Sequence, residues 1–310
     1  MNAASPAQRG DAPLHPGSPA GTFVSFVLAL LLAMLFAAAA SPWVQRLLSP
    51  LAEFPLHRVF SRLTMLGVIV CTVWVMRRHG LARRDVLGFD LPFTAFLRGT
   101  LKGLAGGLLL MAAALVPLFL LGLREWNPER LSGAGMVVLL VLRGLASGLL
   151  VALIEETFFR GAMQGALMRQ NAPRLALLAV PAFYAAVHFL GRAASVPADE
   201  VTALSGFIAL GGFFTLYSEP LRILDAFIAL YLVGLLLALV RQRWGDISRC
   251  IGLHAGFVTS IAVIRKISRP ADSEWSFLVG DYDGLLGIWI ALLTALVCVA
   301  LRLQSRRLTR

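Results

Sequence analysis

Eight apolar runs, at residues 23–44, 59–76, 97–121, 134–156, 175–190, 222–240, 250–264 and 285–302, leave this 310-residue chain few folds to choose from. A bilayer core offers no water to backbone N–H and C=O groups, so a segment that crosses it closes its own hydrogen bonds as a helix of about 20 residues. The runs at 175–190 and 250–264 are the shortest. A ninth stretch, Leu204–Tyr217, has the length of a re-entrant or interfacial segment. Composition agrees, because only 15% of the residues are charged and the mean hydropathy is +0.78, whereas soluble domains carry about 25% charge. The expected fold class is an all-α integral membrane protein of about eight transmembrane helices.

The net charge is +11, yet the basic residues cluster between apolar runs, at Arg77–Arg84, Arg241–Arg249 and Arg302–Arg310. That is the pattern of cytoplasmic loops. No aromatic stripe interleaves with the clusters, so nucleic acid is not expected as a partner and membrane lipid is expected instead. With both termini inside, the inner loops hold those clusters together with Arg160, Arg169 and Arg174. The outer loops then hold Glu125, Asp199, Glu200, Glu219, Asp272, Glu274, Asp281 and Asp283. The expected location is the inner (plasma) membrane, multi-pass, with cytoplasmic N- and C-termini. The first run is too long for the core of a cleaved leader and reads as a retained span. Cys71, Cys250 and Cys298 show no paired framework and read as small buried hydrophobes.

Along the chain we expect a disordered Ala/Pro/Gly-rich tail at 1–20 and N-terminal helices at 21–130. A core at 131–268 and a last helix with a basic tail at 269–310 follow. Small residues recur every fourth position at Gly99/Gly103/Gly107, Gly144/Gly148, Gly161/Gly165 and Gly252/Gly256. Such spacing lets helix backbones approach closely. The Gly252/Gly256 pair brackets His254.

Ionisable groups within apolar spans are costly and mark function. Glu155, Glu156, Arg160, His188 and His254 are such groups. Glu156 and Arg160 stand at i and i+4, the order that favours an ion pair, while Glu155 points about 100° away. The spacing therefore assigns Glu156 and Arg160 to structure and leaves Glu155 to react. Between Glu155 and His188 the helix breakers Asn171-Ala172-Pro173 form a turn, 17 residues after the one and 16 before the other. At 1.5 Å per residue both lie about 25 Å from it, so an antiparallel hairpin brings them level. Its polar tip would carry Gln164, Arg169, Gln170 and Arg174. His254, in a helix expected to start near Asp246, reaches a similar depth, and the three groups would share a polar cavity opening to the cytoplasmic face. A carboxylate beside imidazole can take a proton from water, and a second imidazole can donate to an oxyanion. The same three groups could instead hold Zn²⁺. No HExxH, GxSxG or Walker loop is present.

At these positions the sequence resembles the CPBP family of intramembrane proteases, which includes CAAX prenyl endopeptidases and bacteriocin-processing or self-immunity proteins. The family's EExxxR is met by Glu155, Glu156 and Arg160. Its FxxxH is met by Tyr184 to His188, with Tyr for Phe, and its third histidine by His254. The polar residue expected four positions later is Val258. The resemblance implies an intramembrane endopeptidase acting on a membrane-associated protein or peptide, its cavity among the helices of the C-terminal half. It makes Glu155 the base, His188 its partner and His254 the electrophilic group, with Glu156, Arg160 and Tyr184 in support. Family usage covers both metallo- and glutamate-type proteases, so Zn²⁺ held by Glu155, His188 and His254 stays open beside a reaction without a cofactor. Two other classes compete with it. One is a catalytically silent immunity or scaffold protein, favoured by Val258. The other is a proton-coupled transporter, against which no inverted repeat is visible.

Overall fold

The structure, a computed structural model, describes residues 17–50, 54–127, 129, 133–191 and 193–308. Of the tail expected at 1–20, residues 1–16 lie outside these, as do Thr309 and Arg310 of the basic tail. The helices are α1 (Pro19–Leu48), α2 (Leu56–Arg78), α3 (Arg84–Leu87), α4 (Phe93–Leu120) and α5 (Ala134–Glu156). After a π-helix at Thr157–Met163 come α6 (Gln164–Arg169), α7 (Pro173–His188), α8 (Ser205–Gly212), α9 (Pro220–Trp244), α10 (Ser248–Ile267) and α11 (Ile288–Leu308). Two three-residue strands, β1 (Arg124–Trp126) and β2 (Ser268–Pro270), pair antiparallel and tie the ends of α4 and α10 together.

Seven helices among the described residues are long and apolar enough to cross a membrane, one of them the continuous stretch Gly135–Arg169, and α7 is a shorter apolar helix. Each of the eight runs read from the sequence is thus a helix, and the chain is a multi-pass membrane protein. Lipid-facing rows such as Leu139, Leu142, Leu150 and Leu153 on α5 stay exposed because no protein element covers them. The ninth stretch forms α8 and a 3-10 turn at Thr215–Ser218. Eight helical residues reach about 12 Å, well short of a bilayer core.

The tightest seam joins α4 to α10, and glycine makes it. A Cβ at Gly103 would meet the Arg249 backbone, one at Gly107 the Leu253 backbone, and one at Gly252 the backbone of Thr100 and Leu104. On the neighbouring side Gly148 lies against the backbone of Ala255 and the Thr259 hydroxyl, which seats α5 on α10. Within lipid there is little hydrophobic drive between helices, so close backbone packing of this kind supplies much of the association. The four-residue glycine spacing seen in the sequence is this contact. Asp246 starts α10 by accepting hydrogen bonds from the backbone N–H of Ser248, at 2.8 Å, and from its hydroxyl. The helix therefore begins at Ser248, two residues after the expected start, and His254 sits in its second turn.

Candidate active site

Glu155 and Glu156 end α5, and the helix then widens into the π-turn. π-Turns are rare, and they concentrate at functional sites. Asn171, at φ 56°, reverses the chain, and Pro173 opens α7. This hairpin sets His188, the last residue of α7, beside Glu155: Nε2 of His188 lies 3.7 Å from Oε2 of Glu155. From α10, Nε2 of His254 lies 3.9 Å from the same oxygen. The three groups that the sequence singled out therefore meet around one carboxylate oxygen. That oxygen is buried and has no hydrogen-bond partner among the described residues.

The other nitrogen of each imidazole is occupied. His188 Nδ1 is 2.8 Å from the backbone carbonyl of Tyr184, one turn earlier, so it carries the proton and donates. His254 Nδ1 is 2.8 Å from Oε1 of Glu156 and donates to that carboxylate. Both Nε2 atoms are thereby turned toward Glu155, the tautomer being set by the hydrogen bond the opposite nitrogen makes.

Glu156 does more than pair with Arg160. The same Oε1 also accepts from Arg160 Nη1 at 3.0 Å, and both side chains are fully buried. Arg160 Nη2 donates to the carbonyl of Gly234 on α9 at 3.0 Å. One turn on, Gln164 donates to the carbonyl of Ala238 at 2.9 Å. Arg241 is only 8% exposed and returns the contact, with Nε donating to the Arg160 carbonyl at 3.3 Å and Nη2 to the Val86 carbonyl at 2.9 Å. Three sequence assignments change here. Gln164 is not at the polar hairpin tip, and neither Arg160 nor Arg241 belongs to a cytoplasmic cluster. The helix continues six residues beyond Met163 before it turns, so Arg160 and Gln164 lie one or more turns inside, where α9 carbonyls accept from them, while Arg241 turns back to the Arg160 and Val86 carbonyls.

Tyr184, His188, His254 and Val258 line a cavity of about 390 Å³. Its remaining lining is largely apolar, from Leu110, Met111, Leu230, Phe257 and Ile261, and it follows α10 as far as Arg265, which pairs with Asp283 at 2.5 Å. The sequence predicts a polar cavity opening to the cytoplasmic face, the side to which it also assigns Arg241–Arg249. The cavity is instead largely apolar and runs from the histidines along α10 to Arg265, away from the Arg241–Arg249 end. Val258 presents methyl groups to this space, and the neighbouring Thr259 hydroxyl is spent on the Ala255 and Gly144 carbonyls.

For a metal the donor set is a weak fit. Among the described residues no three His, Cys, Asp or Glu side chains are grouped to hold an ion. The spacings of 3.7 and 3.9 Å from Glu155 to the two imidazoles exceed the roughly 3.4 Å between ligand atoms about 2.0–2.1 Å from a tetrahedral zinc.

A carboxylate and two imidazoles, the rings oriented by their own partners, thus meet among helices long and apolar enough to cross a membrane, and the class so defined is a multi-pass helical membrane protein. Residues 137–260, which hold Glu155, Glu156, Arg160, His188 and His254, match the family model described as type II CAAX prenyl endopeptidase Rce1-like. The match agrees with the resemblance read from the motifs. No curated protein and no solved structure gives a significant match to the chain.

Proposed function

We propose that the protein is an intramembrane endopeptidase that hydrolyses a peptide bond in a membrane-associated protein or peptide, with Glu155 acting directly on water. The observation that carries this reading is the unpartnered Glu155 Oε2 between two Nε2 atoms, at 3.7 and 3.9 Å. One water can touch Glu155 and His188 together. Glu155 takes its proton as the oxygen adds to the scissile carbonyl carbon, and the C–N bond then breaks as that proton passes to the leaving amine. His188, with Nδ1–H held by the Tyr184 carbonyl, offers the Nε2 lone pair that orients the water.

His254 stabilises the oxyanion. With Nδ1–H donating to Glu156, its Nε2 donates to the oxyanion in the imidazolium form. Glu156 is thus the positioning residue for the electrophile, and Arg160 holds Glu156. The cytoplasmic placement of both termini in an inner membrane belongs to the same proposal and rests on the arginine clusters.

The test is cleavage of a membrane-anchored peptide library by the purified protein in detergent. Wild type should cut, and Glu155→Ala should not. A second reading, a silent scaffold of the same fold, is favoured by Val258 on the cavity wall. No cleavage by wild type above the Glu155→Ala background would favour it.

A further inference from the structure

The hydrolytic reading leaves one chemical need unmet. A tetrahedral oxyanion in a largely apolar cavity calls for more than one donor, since water is scarce and each donor acts at full strength there. His254 supplies one. Val258 has none, and Thr259 has turned its hydroxyl to the backbone. Tyr184 remains. It is 2% exposed, with its ring enclosed on every side. His188 packs on the ring at 4.2 Å between centroids, His254 meets it edge-on at 6.3 Å, and the Arg160 guanidinium lies over it at 4.5 Å. On the α9 side a Cβ at Gly234 would meet the ring edge. Its hydroxyl makes no hydrogen bond with any described residue, and it is not among the polar atoms sealed away from open space. The space it reaches is the cavity that both histidines line.

A buried tyrosine ordinarily finds a partner for its O–H, because leaving a polar group unpaired in an apolar setting costs free energy. Here the packing fixes the ring and leaves the hydroxyl turned to the reacting space. We infer, building on the endopeptidase reading, that the Tyr184 hydroxyl is a catalytic group, the second hydrogen-bond donor to the oxyanion beside His254. It transfers no proton: its O–H donates while the carbonyl oxygen bears charge and is released when the C–N bond breaks. The donor that position 258 does not offer on α10 is thereby supplied from α7.

The experiment measures binding by the full-length protein in detergent micelles. The probes are an apolar tetrapeptide carrying a phosphinate, –P(O)(OH)–CH2–, in place of its central peptide unit, and the parent peptide. A phosphinate copies the tetrahedral anion, whereas the parent copies the ground state. Tyr184→Phe, which removes only the hydroxyl, should bind the phosphinate about 10- to 100-fold more weakly and the parent unchanged. Its melting temperature should match that of wild type, since the hydroxyl bonds to nothing that folds the chain. Adding Val258→Asn to Tyr184→Phe should recover part of the lost phosphinate affinity, by placing an amide donor on the same cavity wall. Wild type that prefers the phosphinate, with Tyr184→Phe preferring it equally, overturns the donor role and leaves the endopeptidase reading standing. Wild type with no preference for the phosphinate over the parent overturns that reading, and the role of Tyr184 with it.

Discussion

Opposite faces of α10 are built by opposite means. Toward α4 the helix carries Gly252 and Gly256, and backbone meets backbone. Toward α5 and α7 it presents His254 to Glu156, Glu155 and the Tyr184 ring. The first face is steric and fixes how deep His254 sits. The second is electrostatic and fixes which way the ring turns. An imidazole on a loosely packed helix could satisfy Glu156 in several places, whereas one on a helix locked by glycine contacts has a single address. A reactive centre in lipid needs both, since neither the seam nor the ion pair sets position and orientation together.

The difference can be broken most severely on the electrostatic face. Glu155→Gln keeps the volume and removes the base, so turnover of a cleaved peptide should fall by about 10²–10⁴ while the melting temperature in detergent holds. A loss below tenfold would take the proton transfer away from Glu155. His254→Ala should cost about 10²–10³ in turnover, the usual effect of deleting an oxyanion donor, and its measure is kcat at saturating peptide. Retention of more than about a tenth of the wild-type rate would reassign the ring to a packing role.

Arg160→Ala leaves Glu156 with the His254 ring as its one remaining partner in a fully buried site. Breaking one partner of such a pair costs about 3–5 kcal/mol, so its melting temperature should fall further than that of Glu155→Ala. Equal melting with lost activity would mean that Arg160 belongs to the reaction. On the steric face, Gly103→Ala drives a methyl group into the Arg249 backbone, and overpacking of this kind costs about 1–3 kcal/mol. Thermal denaturation reads it, and an unchanged transition would show that the seam has slack. The smallest effect expected is that of a zinc chelator. 1,10-Phenanthroline should leave peptide turnover within about twofold if Glu155 acts on water unaided, because removing an activating metal would cost several kcal/mol of charge stabilisation.

Much of this was legible in the sequence because membranes make helix signals loud. All eight runs are helices, and Glu155, His188 and His254 converge as the residue count on either side of Asn171-Ala172-Pro173 required. The four-residue glycine spacings at Gly99/Gly103/Gly107 and Gly252/Gly256 proved to be real contacts. The partners were not legible. Glu156 meets His254 across 98 positions of chain, and Arg241 caps the Arg160 carbonyl across 81. Nothing local marks either pairing. Arg241 was misplaced for a physical reason: an arginine near a span end looks the same whether its guanidinium reaches water or curls back to a carbonyl. Gln164 was misplaced because the helix outruns its apolar stretch. The direction of the cavity depends on how side chains from several helices fill the space around α10, and a single chain of letters does not carry that.

The π-turn has a geometric consequence. Glu156, Arg160 and Gln164 stand four residues apart, and the last two reach carbonyls on α9, Gly234 and Ala238, that are also four apart. Two rows with equal pitch can stay matched only if neither winds away from the other. In an ordinary α-helix of 3.6 residues per turn, each four-residue step overshoots a full circle by about 40°, so two steps would swing Gln164 about 80° out of line with Glu156. The wider turn between Thr157 and Met163 advances less per residue and takes up that drift. It works as a vernier that keeps two polar teeth, Arg160 and Gln164, engaged with α9 while Glu156 holds Arg160 in place. The number of residues between Glu156 and Gln164 is therefore itself part of the candidate site's geometry.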